Sequence, residues 1–197
     1  MGVPYFFGWL LRKYKKHNMI IQNINKKVDT LYLDSNCLFH PQCFKVLDLN
    51  ENLTSIDKLE KKMFNRILKY IDFLIDHCNP QKEVFISVDG VAPLAKMNQQ
   101  RKRRFRSVQD KILFDKIKKK YNKEKKNNWS NTVITPGTEF MEKLNNEIIT
   151  HFKKKKSNLK ITLSSYHVPG EGEHKILDDI RNKNNDDGID VYDLLLI

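Results

Sequence analysis

Apolar residues follow two patterns along this chain: short unbroken runs, and longer stretches in which they recur every three or four positions. The short runs predict buried β-strands, and the periodic stretches predict helices that bury one face. The clearest helix covers residues 54–78, with Thr54 or Ser55 as its N-cap and Asn79-Pro80 as its stop. The predicted strands are residues 29–34, 82–89 and 159–166, and the other predicted helices are residues 95–120, 138–155 and 171–180.

This order of elements predicts one α/β domain with a mostly parallel β-sheet flanked by helices. In such sheets, ligands bind beyond the carboxyl ends of the strands. Asp34 and Asp89 end the first two strands, and Glu171 and Glu173 follow the third. We therefore expect these four carboxylates to converge at one edge of the sheet. A lone acid at a strand end is as often a capping or turn residue, so the argument depends on all four.

Four carboxylates at one edge favour a metal site. Two carboxylates about 5 Å apart repel by roughly 3 kcal/mol at an effective dielectric constant near 20. A cluster of four must therefore either take up protons or bind cations. Oxygen ligands suit Mg²⁺ or Mn²⁺, and two such ions support in-line displacement at a phosphodiester.

A dense group of cations follows the second strand, in the sequence AKMNQQRKRRFR of residues 95–106. Arg offers a planar fork for phosphate oxygens, Lys a point charge and Gln a neutral donor. On a helix, one face carries four of these side chains: Lys96, Gln100, Arg103 and Arg104. The run also fits a solvated basic helix or a nuclear localisation signal. The nearby Asp89 favours a receptor for a terminal phosphate.

Composition narrows the class of partner and the compartment. The chain has 197 residues and a net charge of +12, so we expect polyanions as partners. No apolar run approaches the roughly 20 residues of a membrane-spanning helix, and the apolar N-terminus has no basic region ahead of it. Three cysteines without metal-ligand spacing predict reduced thiols. We expect an intracellular protein, cytoplasmic or nuclear, with the cytoplasm slightly preferred.

Several segments together resemble the XRN family of 5′→3′ exoribonucleases, in the order that the family has them. They are MGVPYFF at residues 1–7, LYLDSNCLFH at 31–40, VDGVAPLAKMNQQRKRRFR at 88–106, ITPGTEFM at 134–141 and HVPGEGEHKI at 167–176. The resemblance runs from residue 1 to about residue 180. It implies the N-terminal part of the family's nuclease domain, with a 5′-nuclease/PIN-like architecture.

The resemblance also implies a role for each candidate site residue. The catalytic divalent ions, Mg²⁺ or Mn²⁺, would be held by Asp34, Asp89, Glu171 and Glu173. A 5′-monophosphate would be gripped by Lys96, Gln100, Arg103 and Arg104. His40 would contact the first nucleotides, with a core or capping histidine as the alternative, and Gly2 would lie close to the active site. Each cut of single-stranded RNA would create a new 5′-monophosphate, which re-enters the same pocket.

One part of the family pattern is incomplete. The family has a G-x-D-A-D-L motif, whereas residues 190–197 read DVYDLLLI, with Asp193 as a candidate substitute for one missing ligand. We therefore interpret residues 1–197 as a single domain truncated at its C-terminal end, and an apolar strand is expected at the sheet edge. A second chain would then complete the catalytic body. Alternatives to the exoribonuclease are an inactive fragment that binds RNA 5′ ends and a structure-specific DNA flap endonuclease.

Overall fold

Four parallel strands form the centre of the fold. The computed structural model describes residues 5, 8, 9, 12, 13, 27–121, 129–155, 158–187 and 194–196, with only the backbone for 184–187 and 194–196. The strands are β1 (Thr30–Asp34), β2 (Glu83–Ser87), β3 (Lys160–Ser164) and β4 (Leu194–Leu196). They lie in the order β3-β2-β1-β4, and each neighbouring pair is parallel. The predicted apolar strand at the sheet edge is therefore confirmed as β4.

Helices connect and flank these strands, so the predicted α/β fold of the 5′-nuclease/PIN-like kind is confirmed. The helices are α1 (Ser35–Leu49), α2 (Ile56–Cys78), α3 (Leu94–Lys120), α4 (Glu139–Lys154) and α5 (Gly172–Asp187), with a 3₁₀ turn at Asn131–Val133. The predicted strands and the first three predicted helices are confirmed, with each end within two residues of the prediction.

Two features of the helices differ from the prediction. Helix α1 was not predicted, because Pro41 lies inside it and its apolar residues do not form one face. Proline removes one backbone donor and normally disfavours a helix interior. Helix α5 continues to Asp187 instead of ending near Ile180. Its last turns are polar, so apolar periodicity gives no signal for them.

The central strands β1 and β2 are buried on both faces, and alternate residues of each strand point to opposite sides. Leu31 and Leu33 of β1 lie in the main core, which α1, α2 and α4 cover. Tyr32 points the other way and packs with Phe85 and Ile176 under α5. The central strands are thus fixed between two layers of helices, and so are their carboxyl ends.

Helix α2 supplies the largest share of the main core. A stripe of residues at helical spacing is buried, including Met63, Ile67 and Ile71. The Ser55 hydroxyl caps its start by accepting the Lys58 N–H, as one of the two predicted N-caps. Its end is closed by Asn79, whose φ of 47° is left-handed and whose N–H donates to the Ile75 carbonyl at 2.8 Å.

Helix α3 is different, because none of its residues is buried. Its 27 residues extend for about 40 Å. Several of its apolar side chains are exposed, among them Phe105 at 67% and Phe114 at 60%. Neither α3 nor any other helix in the described part of the chain is long and apolar enough to cross a membrane.

Replacing Ile71 by alanine should lower the free energy of unfolding by about 2–5 kcal/mol, because its fully buried side chain would leave a cavity. Urea denaturation followed by circular dichroism measures this loss. The matched control is Ile56→Ala in the same helix, where the side chain is 48% exposed and the loss should stay below about 1 kcal/mol. Equal losses at the two positions would contradict the assigned core.

The contact between α2 and α4 should depend on pH. Burial raises the pKa of Asp72, but hydrogen bonds from His151 (2.9 Å) and Lys155 (2.9 Å) outweigh it and hold that pKa below its usual value. A lowered carboxyl pKa adds stability above the unfolded-state value, and this stability is lost as the pH falls through the folded-state value. Asp72→Asn should therefore cost about 1 kcal/mol at pH 7. Denaturation at pH 7 and in acid should show this difference shrinking as the pH falls.

Candidate active site

Two strand-end acids lie on either side of one glycine. Asp34 ends β1 opposite Ser87 of β2, and Asp89 follows Ser87 by two residues, so both acids lie at the same edge of the sheet. The Gly172 N–H donates to Asp89 Oδ1 at 2.7 Å. A β-carbon at Gly172 would lie 2.6 Å from Asp34 Oδ1 and 3.3 Å from Asp89 Oδ1. The two carboxylates therefore approach the same point.

Gly172 also fixes the start of α5 against the sheet. A β-carbon closer than 3.0 Å to another heavy atom forces a shift, so this position has no room for a side chain while Asp34 stays in place. The buried Ser87 hydroxyl donates to the Gly172 carbonyl at 2.9 Å. The amino end of a helix carries a partial positive charge that favours carboxylates. Glu171 and Glu173, on either side of Gly172, are thereby brought to the same edge.

The electrostatics of Asp34 show that the acids act on one another. Burial, followed by the charges of Asp89, Glu173 and Glu171, raises the pKa of Asp34 to about 6. The Asn36 backbone N–H opposes this shift only in part. Such a shift is expected where carboxylates gather without sufficient counter-charge. Asp34 and Asp89 thus lie together, with Glu173 and Glu171 near enough for their charges to act on Asp34. That the four acids form one set of metal ligands stays a prediction.

Protein donors hold two of the four acids. The Asn36 side chain donates to Asp89 Oδ2 at 3.0 Å and accepts the Asp89 N–H at 3.2 Å. The Lys96 ammonium donates to Glu171 Oε2 at 2.8 Å. Across residues 27–121, 129–155 and 158–187, no three Asp, Glu, His or Cys side chains are placed so that they could hold a metal ion together. Carboxylate oxygens are the ligands that Mg²⁺ and Mn²⁺ prefer. These acids could therefore hold such an ion if Asn36 and Lys96 released their hydrogen bonds.

Lys96 links the acids directly to the basic helix. It lies in the first turn of α3, and the hydrogen bond to Glu171 raises its pKa. Gln100 and Arg104 are partly buried and Arg103 is exposed. Within the described structure, these three side chains form no hydrogen bond or ion pair with the protein. They remain available for a ligand, and their role in binding phosphate stays a prediction.

His40 lies between the acids and the basic helix. It belongs to α1 and is half-buried, six residues beyond Asp34. Burial, assisted by the charge of Arg103, lowers its pKa, and Asp89 acts in the opposite direction. The imidazole is therefore favoured in its neutral form, in which one ring nitrogen donates and the other accepts.

Three residues that organise the site were not singled out from the sequence: Asn36, Gly172 and Lys175. Lys175 is buried, and its ammonium donates to the carbonyls of Val88 (2.7 Å) and Ser165 (2.9 Å). It thereby ties α5 to the ends of β2 and β3, and burial lowers its pKa to about 8. All three lie inside motifs that were noted, but their contacts to backbone groups leave no signal in residue type or spacing.

Two predicted residues cannot be placed at the site. Gly2, expected near the active site, and Asp193, considered as a substitute ligand, both lie outside the described residues. The cysteines are free thiols, with Cys43 and Cys78 buried and Cys37 exposed.

Comparison with known proteins gives matches along the whole chain. The family model for the XRN 5′-3′ exonuclease N-terminus matches residues 1–197. The chain is 36% identical over 192 residues to 5′-3′ exoribonuclease 1 of Schizosaccharomyces pombe, an alignment that covers 93% of this chain and 14% of that protein. It is 37% identical over 224 residues to 5′-3′ exoribonuclease 2 of Kluyveromyces lactis, covering 94% and 22%. It is also 36% identical over 226 residues to the 5′-3′ exoribonuclease 2 homolog of Drosophila melanogaster, an alignment that covers 93% of this chain and 24% of that protein.

These alignments cover most of this chain but only 14–24% of each of the three relatives. The matched model describes the amino-terminal part of the family, and it extends over the strands and helices that carry the four acids and the basic helix. The chain therefore belongs to the XRN family of 5′-3′ exonucleases.

Proposed function

We propose that this chain forms the N-terminal part of the catalytic region of a divalent-metal-dependent 5′→3′ exoribonuclease. Its substrate is single-stranded RNA with a 5′-monophosphate, from which it releases nucleotides by phosphodiester hydrolysis. Support comes from family membership, from relatives named 5′-3′ exoribonucleases and from the geometry of the acidic edge.

The observation that carries this proposal is the Lys96–Glu171 ion pair. It joins the first turn of the basic helix to the acidic edge at 2.8 Å. A phosphate bound to the side of α3 that carries Lys96, Gln100, Arg103 and Arg104 would therefore lie next to the carboxylates. Recognition of a terminal phosphate beside a hydrolytic centre is the arrangement that removal of nucleotides from one end requires.

In this mechanism the chain's own groups bind and orient the RNA. The guanidinium groups of Arg103 and Arg104 hold the terminal phosphate by charge-assisted hydrogen bonds, and Gln100 adds a neutral donor. His40 contacts the adjoining nucleotide with its neutral imidazole. Mg²⁺ or Mn²⁺ held by Asp34, Asp89, Glu171 and Glu173 would supply Lewis-acid stabilisation of the charge that develops at the phosphodiester.

A second candidate function is capture of 5′-monophosphate ends without cleavage. Two observations favour it: no complete set of metal ligands is found among the described residues, and Asp89 and Glu171 already accept hydrogen bonds from protein donors. Both candidates predict selective binding of the phosphorylated end. Only the first predicts the release of mononucleotides in the presence of Mg²⁺.

Arg103→Ala and Arg104→Ala should each reduce the preference for RNA with a 5′-monophosphate over RNA with a 5′-hydroxyl by about 10- to 100-fold, as loss of a hydrogen bond between charged groups does. Binding of the two RNAs is measured in EDTA, and degradation in Mg²⁺. Arg101→Ala and Arg106→Ala serve as controls, because they remove equal charge from other faces of the same exposed helix. If the controls lose as much preference, the assigned face is wrong.

Mg²⁺ should stabilise the protein against thermal unfolding, because an ion that binds only the folded acidic edge shifts the equilibrium towards it. Asp34→Asn should abolish this shift and, in EDTA, should raise the melting temperature, since it relieves repulsion among the acids. Differential scanning fluorimetry with and without Mg²⁺ measures both effects. Glu147→Gln, on the exposed surface of α4, is the control and should keep the Mg²⁺ response of the unaltered protein.

A further inference from the structure

A groove between α1 and α2 has the composition of a nucleotide-binding surface. Its volume is about 420 Å³, within the range of pockets that bind small ligands. Its lining contains cations, amides and aromatic rings but no carboxylate. The groove contains none of the candidate active-site residues, so it is a separate feature of the fold.

Aromatic side chains form one wall of the groove and continue beyond it. Tyr70 and Phe73 have ring centroids 6.0 Å apart with planes inclined by 22°. Phe73 and His77 follow at 5.7 Å and 15°. Phe73 is 55% exposed, although the opposite face of the same helix is buried in the core. Phe73 and His77 are exposed, and Tyr70 is partly buried. The free ring faces of this near-parallel row are suited to stacking of unpaired bases, whatever their sequence.

Cations line the groove side of this wall, and Asp72 and Asp76 lie near its other end, beside Lys69, Phe73 and His77. Lys62, Arg66 and Lys69 line the groove, and in the described structure none of them forms an ion pair with a carboxylate. Lys62 and Arg66 donate instead to neutral amide oxygens, of Asn50 at 2.5 Å and Gln42 at 3.1 Å. Both amide partners keep the cations in place while leaving their charge unneutralised. The groove is therefore complementary to a polyanion.

The groove lies along the same helix that leaves the acidic edge. Helix α1 begins next to Asp34, and Gln42 and Asn50 lie 8 and 16 residues further on, which corresponds to about 12 and 24 Å along its axis. An RNA strand whose end is held at the acidic edge can therefore pass over this surface several nucleotides later.

We propose that the α1–α2 groove binds single-stranded RNA at a point remote from its 5′ end, with a base stacked on the Tyr70–Phe73–His77 row and phosphates held by Lys62, Arg66 and Lys69. This inference depends on the proposed function only in that the polyanion is RNA. The site does not recognise the terminal phosphate. It adds affinity for RNA that is long enough to reach from the acidic edge to the groove.

The first test uses fluorescence anisotropy in EDTA with a single-stranded 20-nucleotide RNA that carries a 5′-hydroxyl and a 3′ label. Phe73→Ala should weaken binding by about 5- to 100-fold, as loss of a base–aromatic stack does. Phe44→Ala is the matched control, because this phenylalanine of α1 is 45% exposed and does not line the groove. Equal affinity of the two variants would overturn the proposal and would indicate that the aromatic row serves another partner, such as a polypeptide.

The charge of the groove is tested through salt dependence. Arg66→Gln and Lys69→Gln should each reduce the slope of log affinity against log salt concentration by about 0.7, which is the contribution of one phosphate contact with a single strand. Lys61→Gln, on the exposed side of α2 outside the groove, should leave the slope unchanged. Equal slopes for all three variants would contradict the phosphate contacts.

A third measurement separates this groove from the end-binding face. A 5′-phosphorylated dinucleotide, used as a competitor, is too short to span both surfaces. Its affinity should be unchanged in Phe73→Ala and reduced in Arg103→Ala.

Photocrosslinking of the 20-nucleotide RNA with 5-iodouridine should give adducts at Tyr70, Phe73 or His77. Adducts confined to α3 would overturn the groove and leave the proposed exoribonuclease function untouched.

Discussion

The candidate site depends on the close approach of Gly172 to the ends of β1 and β2. A helix start without a side chain lets two carboxylates from the ends of different strands approach the same residue. The Ser87 hydroxyl holds that start from within the sheet, and Lys175 holds it one turn later. Glu171 and Glu173 adjoin this glycine in the chain, so their placement follows from its placement, and Lys96 additionally binds Glu171.

The acids stay close together despite their mutual repulsion, because the surrounding structure is rigid. Central strands covered on both faces cannot move apart to separate Asp34 from Asp89 without disrupting the core. The cost appears in the raised pKa of Asp34 and in the recruitment of Asn36 and Lys96 as partners for the other acids. This repulsion is the physical basis for proposing that a cation binds at the acidic edge.

The sequence pattern is sufficient to predict the helices and strands whose formation depends on apolar periodicity. Helix α2 and strands β1 and β2 were predicted within two residues, and their order placed the four acids at one edge. Helix α1 was missed because Pro41 and mixed apolar positions hide a helix that packing against α2 stabilises. Asn36 and Lys175 were missed for a different reason, since they bind a neighbouring carboxylate and two carbonyl groups that are distant in sequence. Contacts of this kind arise only from the folded chain.

The absence of buried residues from α3 divides the site into two parts with different local stability. The acids belong to the cooperative core, whereas the cations belong to a helix whose opening exposes no additional core surface. Amide hydrogens of α3 should therefore exchange with solvent through local fraying, at a free energy below that of global unfolding. The free energy needed to order this helix is therefore included in the binding free energy of any ligand that it binds. Helix α3 can thus open locally while the acidic edge stays folded.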